Sequence, residues 1–100
     1  MEPNYKEVKK ITREGYEFKK DREGVKHWFL NGRPHREGGP ALEFASGTNM
    51  WFMYGWLHRE DGPAIEWADG IKEYYLNGFK VTKTKITRRK NAAKRKNNQF

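Results

Sequence analysis

His35-Arg36-Glu37-Gly38-Gly39-Pro40-Ala41-Leu42-Glu43-Phe44-Ala45 returns, 23 positions later and without an insertion, as His58-Arg59-Glu60-Asp61-Gly62-Pro63-Ala64-Ile65-Glu66-Trp67-Ala68. A fixed period of this length marks a repeat in which each copy is one supersecondary unit. The same step carries Gly24 to Gly47 to Gly70, Gly32 to Gly55 to Gly78, Trp28 to Trp51 to Tyr74, and Phe29 to Phe52 to Tyr75.

Each copy opens on a short aromatic segment: Lys26-His27-Trp28-Phe29-Leu30, Asn49-Met50-Trp51-Phe52-Met53 and Lys72-Glu73-Tyr74-Tyr75-Leu76. Too short for a stable helix, these segments read as strands. They end in Asn31-Gly32, Tyr54-Gly55 and Asn77-Gly78, and Asn-Gly tolerates the positive φ angles of a two-residue hairpin turn. The His-Arg-Glu-(Gly/Asp)-Gly-Pro run then reads as an irregular entry, with Pro40 and Pro63 as punctuation, to a second strand at Ala41–Ala45 or Ala64–Ala68. One copy is therefore one hairpin. The expected fold class is all-β, a single-layer antiparallel meander of repeated β-hairpins. Trp28, Trp51 and Tyr74 form one row and Phe29, Phe52 and Tyr75 another on the opposite face, and one of the two rows is expected to be core.

The expected organisation is one β domain over residues 1–87: a degenerate cap at 1–23, then copies at 24–46, 47–69 and 70–87. Lys6, Lys9, Lys10, Lys19 and Lys20 suit an exposed sheet edge. Phe79–Ile86 is expected to complete the last hairpin, and residues 88–100 form a basic C-terminal tail that is disordered or a short helix.

The net charge of +8 belongs to one end. Residues 1–73 hold 12 Lys and Arg against 13 Asp and Glu, whereas residues 74–100 hold nine basic residues and no acidic one. Those nine are Lys80, Lys83, Lys85, Arg88, Arg89, Lys90, Lys94, Arg95 and Lys96, the candidate nucleic-acid-binding residues, since such a block attracts polyanions. With no cysteine there is neither a disulfide framework nor a thiolate metal site, and the expected compartment is the cytoplasm. No stretch approaches the roughly 18 apolar residues of a membrane span.

The period, the aromatic strand, the Asn-Gly turn, the His three positions after the turn glycine and the closing Asp-Gly together resemble MORN repeats. The His-Arg-Glu-Asp-Gly-Pro-Ala form looks like the MORN-like arrays of small phage and large-virus proteins. The likeness covers residues 24–80 well, the first 23 poorly and the last 20 not at all. It implies a hairpin meander used as a binding scaffold, and in a phage-type protein it also implies a host protein as partner, such as a nucleic-acid enzyme to be inhibited. Gly38 stands where the other copy has Asp61, Tyr54 replaces the turn Asn, and Val81 replaces the His of copy three.

His35 and His58 recur with their whole loop, so the expected role of imidazole and guanidinium is to satisfy backbone groups around the Gly-Pro bend rather than to hold a metal. Paired carboxylates such as Glu43 with Glu66, or Glu60 with Asp61, follow from the period, and a thin sheet encloses no site to separate their pKa values. No phosphate-binding glycine loop, nucleophile elbow or zinc spacing is present, so no enzyme and no cofactor are expected. The 15 aromatics exceed what one side of a thin sheet can bury. Trp56 and Phe79, each just after a turn glycine, are the leading candidates for exposed rings that stack on bases or meet a partner, with Tyr75 as a further one. The expected function is that of a non-catalytic nucleic-acid-binding accessory protein, RNA or a single strand being favoured and sequence specificity weak. The alternative is a scaffold or inhibitor whose repeat face docks on a host enzyme; open sheet edges also allow a homodimer.

Overall fold

A computed structural model of the chain describes residues 8–12 and 14–97. Eleven strands precede one helix: β1 (Val8–Ile11), β2 (Tyr16–Lys20), β3 (Lys26–Leu30), β4 (Arg33–Pro34), β5 (Leu42–Glu43), β6 (Asn49–Met50), β7 (Phe52–Met53), β8 (Trp56–Leu57), β9 (Ile65–Glu66), β10 (Lys72–Leu76), β11 (Phe79–Val81) and α1 (Lys83–Asn97). The main sheet runs β1-β2-β3-β5-β6-β9-β10-β11, every pairing antiparallel, with β4 also on β3 and β7-β8 as a separate ribbon. Lys6 lies outside the described residues. Lys9 and Lys10 belong to β1, the outer strand.

Along the edge away from β2, the first strand of copy one serves two partners in turn. Lys26 and His27 oppose Glu43 and Leu42, while Phe29 and Leu30 oppose Pro34 and Arg33. Trp28 stands at the change of register: its N–H donates to the Ala41 carbonyl (2.8 Å) and its carbonyl accepts from the His35 N–H (3.0 Å). Between those two bonds, residues 36–40 leave the sheet. Trp51 does the same between Ala64 (2.7 Å) and His58 (3.0 Å), and the pairing Lys26↔Glu43 reappears 23 positions on as Asn49↔Glu66. The second strand expected at Ala41–Ala45 or Ala64–Ala68 is thus shortened to Leu42–Glu43 or Ile65–Glu66, and a separate stub, Arg33–Pro34 or Trp56–Leu57, pairs beside the turn. The turns follow expectation: Asn31, Tyr54 and Asn77 all have φ of 50°, each followed by a positive-φ glycine.

The excursion covers the tryptophan. The Arg36 guanidinium carbon lies 3.8 Å from the Trp28 ring centroid, and Nη1 donates to the Pro40 carbonyl and to Glu43 Oε2, both at 3.1 Å. Arg59 repeats this over Trp51 at 4.0 Å, reaching Pro63 at 3.1 Å and Glu66 at 3.4 Å, and its Nε donates to Asp61 at 3.1 Å. A Cβ on Gly39 or Gly62 would stand 2.9 or 2.8 Å from these guanidinium carbons, which is why glycine precedes the proline. The expectation of a wholly buried aromatic row is corrected: Trp28, Trp51 and Tyr74 are half-buried. A single sheet has no second layer to bury them, and a guanidinium that keeps one side wet takes that place. Among the described residues, the buried apolar side chains are instead Ala41, Ala64, Ile65, Leu76 and Ile86.

The histidines work between copies. His35 Nδ1 accepts the N–H of Tyr54 at 2.9 Å, and His58 Nδ1 accepts that of Asn77 at the same distance, so each imidazole holds the turn of the next hairpin. The groups bound around the Gly-Pro bend belong to the arginines, not to the histidines.

The cap follows the same register on one side only. β2 meets β3 as β5 meets β6: Phe18↔Trp28 and Lys20↔Lys26 there, Glu43↔Asn49 here. A tight turn at Thr12–Tyr16 replaces the excursion. Between β2 and β3, Asp21 Oδ1 accepts the N–H groups of Val25 (2.9 Å) and Glu23 (3.0 Å), and Oδ2 lies 3.0 Å from His27 Nε2. The His27 contact first, and the two amides with it, hold the Asp21 carboxyl below its ordinary range despite some desolvation. A group depressed in the fold stabilises it above the ordinary aspartate value, near about 3.9, and loses that contribution as pH falls through the lower folded value. The Val25 amide resonance is therefore expected to move upfield on acidification below about pH 4, and Asp21→Asn to abolish that titration; an NMR pH series on both proteins checks it.

At the far end the sequence expectation is corrected again. The strand stops at Val81, and Thr82 begins a helix instead of the hairpin continuing to Ile86: Thr82 Oγ1 accepts the Lys85 N–H at 3.2 Å as an N-cap. α1 packs against β10, and Ile86 is buried at 2 % exposure. The helix crosses the expected boundary at residue 88, so the basic segment is docked to the array from its first turn. No helix among the described residues is long and apolar enough to cross a membrane.

Candidate nucleic-acid interface

Among the described residues, three of the open clefts lie along the array. The first, about 420 Å³, lies between the cap and the first excursion and includes Trp28, His35, Arg36 and Glu37. The second, about 470 Å³, lies between the two excursions and includes Trp51, His58, Arg59, Glu60 and Asp61. In both, the arginines are committed to tryptophan, carbonyl and carboxylate, while Glu37, Glu60 and Asp61 stay exposed. Such walls repel a polyanion.

The third cleft, about 670 Å³, opens where the helix replaces the excursion of copy three. Its walls are Trp56 and Phe79 from β8 and β11, Met53, Tyr54, Leu76, Asn77 and Val81 around the two turns, His58 and Glu60 from the second excursion, and Lys85 and Arg89 from α1. Trp56 and Phe79 are 60 % and 75 % exposed. Their place explains this. The side chain after each turn glycine crosses the turn of the next hairpin: Arg33 lies over Gly55, with 3.5 Å from its Cβ to an ideal Cβ there, and Trp56 lies over Gly78, where an added Cβ would be 2.5 Å from the ring. Phe79 is third in that row and has no following turn to cross.

The nine candidate cations separate. Lys80 lies 3.5 Å from Glu73 Oε1 and outside the cleft. Glu73 also accepts the Trp67 indole N–H (2.6 Å) and the Tyr75 hydroxyl (3.1 Å), and these donors, Trp67 first, hold its carboxyl below the usual range. Tyr75 is half-buried, with desolvation and then Glu73 raising its hydroxyl pKa, and it does not line the cleft. Lys80 and Tyr75 are therefore placed in a strand-face cluster apart from the other candidates. Lys83, Lys85 and Arg88 are exposed and, among the described residues, have no carboxylate within 4.0 Å; Arg89 Nη2 is 3.9 Å from Glu60 Oε2. Lys90, Lys94, Arg95 and Lys96 lie on the later turns of α1, and their side chains are outside the described residues. Eight of the 15 helix residues are basic.

Met53, Tyr54, Leu76, Glu60 and Asn77 were not among the sequence candidates for this wall. The 23-residue step held the signal for two of them, since it brings the turns at Tyr54 and Asn77 beside the residues that follow the preceding turn. Among the described residues no group of three His, Cys, Asp or Glu side chains is placed to hold a metal ion. No protein-family model matches the chain, and no curated sequence or solved structure does so.

Proposed function

We propose that this chain is a non-catalytic nucleic-acid-binding accessory protein that holds RNA or another single strand with weak sequence specificity. The observation that carries the reading is the third cleft, where two exposed rings and helix cations without strong carboxylate partners face the same space. The helix itself adds support. Lys83 and Lys85 stand in its first turn with no acidic residue there, a position in which the helix dipole disfavours cations by about 0.3–1 kcal/mol each. A phosphate backbone relieves that repulsion, and phosphate contacts position a protein without reading bases.

If about six cations meet phosphates, the affinity for a single strand falls roughly 300-fold between about 50 and 200 mM salt, a log–log slope near −4. Replacing Lys83, Lys85, Arg88 and Arg89 together by glutamine is expected to flatten the slope to near −1 and to abolish binding at physiological salt. Fluorescence anisotropy with a labelled RNA strand measures both; a slope unchanged by the four substitutions removes the proposal.

A second reading is a scaffold that docks on a host protein, such as a nucleic-acid enzyme. It is favoured by Ile71 and Trp67, which leave apolar surface exposed at the last repeat junction, where Trp67 shares Glu73 with Lys80 and neither lines the cleft of the helix cations. Partners recovered equally with and without nuclease treatment would favour this reading.

A further inference from the structure

We infer that the cleft between Trp56, Phe79 and α1 receives an unpaired nucleobase, so that the protein selects single strands over duplex; this rests on the proposed nucleic-acid binding and narrows its ligand. Electrostatics alone makes no such selection, because a cationic helix attracts the denser charge of a duplex at least as strongly. The rings make the difference. Base faces are covered by their neighbours inside a duplex and are free in a single strand, where stacking on aromatic side chains tolerates any sequence.

The Trp56 ring is supported from beneath by the turn at Gly78, which has no Cβ to displace it. A ring backed by the main chain loses little conformational freedom when a base settles on its open side. Phe79, at the same position of the next copy and free of any following turn, offers the second surface. Lys85 and Arg89 line the same cleft. Four residues apart, they share one face of α1 and are separated by about 6 Å along its axis, placing two cations beside a strand that runs past the rings. The one carboxylate on the wall, Glu60, is exposed, but its Oε2 lies 3.2 Å from His58 Nε2 and 3.9 Å from Arg89, so a cation of the cleft offsets its charge. In the other two clefts Trp28 and Trp51 lie under guanidinium groups, and the arginines that line them are engaged with carboxylates.

The test titrates full-length protein with a uridine oligomer and with an RNA duplex of equal length, for the wild type and for Trp56→Ala, Phe79→Ala and Trp56→Phe. Both side chains are exposed, and thermal melts confirm that the variants remain folded. Expected is tighter wild-type binding to the single strand, a loss of about tenfold in each alanine variant for the single strand alone, an unchanged salt slope, and recovery in Trp56→Phe. Equal binding of wild type to strand and duplex, or equal losses for both ligands, overturns the inference while leaving nucleic-acid binding in place. Absence of binding to either ligand at low salt overturns the proposed function and the inference with it.

Discussion

Trp51→Ala is expected to lower the stability of the fold by about 3 kcal/mol, the low end of the range for a large aromatic because the ring is half-buried. Three contributions combine. Removing the half-buried ring gives up its apolar burial and strips the Arg59 guanidinium of a cation–π partner 4.0 Å away, worth about 0.5–2 kcal/mol. The middle copy also bears on two neighbours, so weakening it weakens both junctions of an array whose stability is close to a sum of nearest-neighbour terms. For a domain of this size the loss corresponds to a fall in melting temperature of roughly 12–24 °C. Arg59→Ala should cost less, about 1–2 kcal/mol, since the ring remains. Tyr74→Ala should also cost less than Trp51→Ala, because Val81 and Thr82 occupy the positions of the His-Arg pair and, among the described residues, no guanidinium covers Tyr74. Urea unfolding followed by far-ultraviolet circular dichroism gives the three values. A Trp51→Ala cost below that of Arg59→Ala would show that the cover, not the ring, holds the copy.

His35→Ala is expected to cost about 3 kcal/mol and His58→Ala only about 1 kcal/mol, although the two residues make the same bond. The difference lies in the surroundings. The His35 side chain is wholly buried, and its ring packs 4.3 Å from that of Tyr54. Its removal leaves a void and strands a partly buried Tyr54 N–H, costing about 1–3 kcal/mol for the amide alone. The N–H of Asn77, held by His58, is exposed and can turn to water. A bulky tyrosine at φ 50° adds to the demand at the first site, because that conformation persists only when its surroundings hold it. Since Nδ1 accepts, the imidazole carries its proton on Nε2, which faces Glu37 Oε2 at 3.5 Å in His35 and Glu60 Oε2 at 3.2 Å in His58. Thermal melts of the two variants compare them directly; equal losses would mean that the shared bond to the next turn, and not the burial around it, sets the cost.

Much of this architecture was legible because it is local. Aromatic runs, Asn-Gly dipeptides and the Ala-x-Glu alternation each specify a few adjacent residues, and the 23-residue step carries that reading from copy to copy. The cover over Trp28 was not legible, since Arg36 stands outside the sheet and is held over the ring by Pro40 and Glu43, on the far side of the excursion. The start of the helix at Lys83 was missed for a related reason. Val81-Thr82-Lys83-Thr84-Lys85-Ile86 alternates like a strand, but Thr82 caps a helix and Ile86 gains burial only in that form, so tertiary packing overrides the local propensity. In the candidate interface, the exposure of Trp56 and Phe79 followed from their place after a turn glycine. The separation of Lys80 and Tyr75 from the helix cations did not, because it depends on Glu73 gathering donors from three different residues.

Each excursion shields the tryptophan of its own copy, so a copy arrives with its own covering and asks nothing of a second sheet. The array is therefore a ruler with a 23-residue graduation. Duplicating residues 47–69 in frame adds two strand spacings, about 10 Å, to its length and supplies a new junction with the same histidine, arginine and turn. The helix and its cleft would ride outward intact on the last graduation, so the distance between the cap and the cationic end can be set by copy number alone.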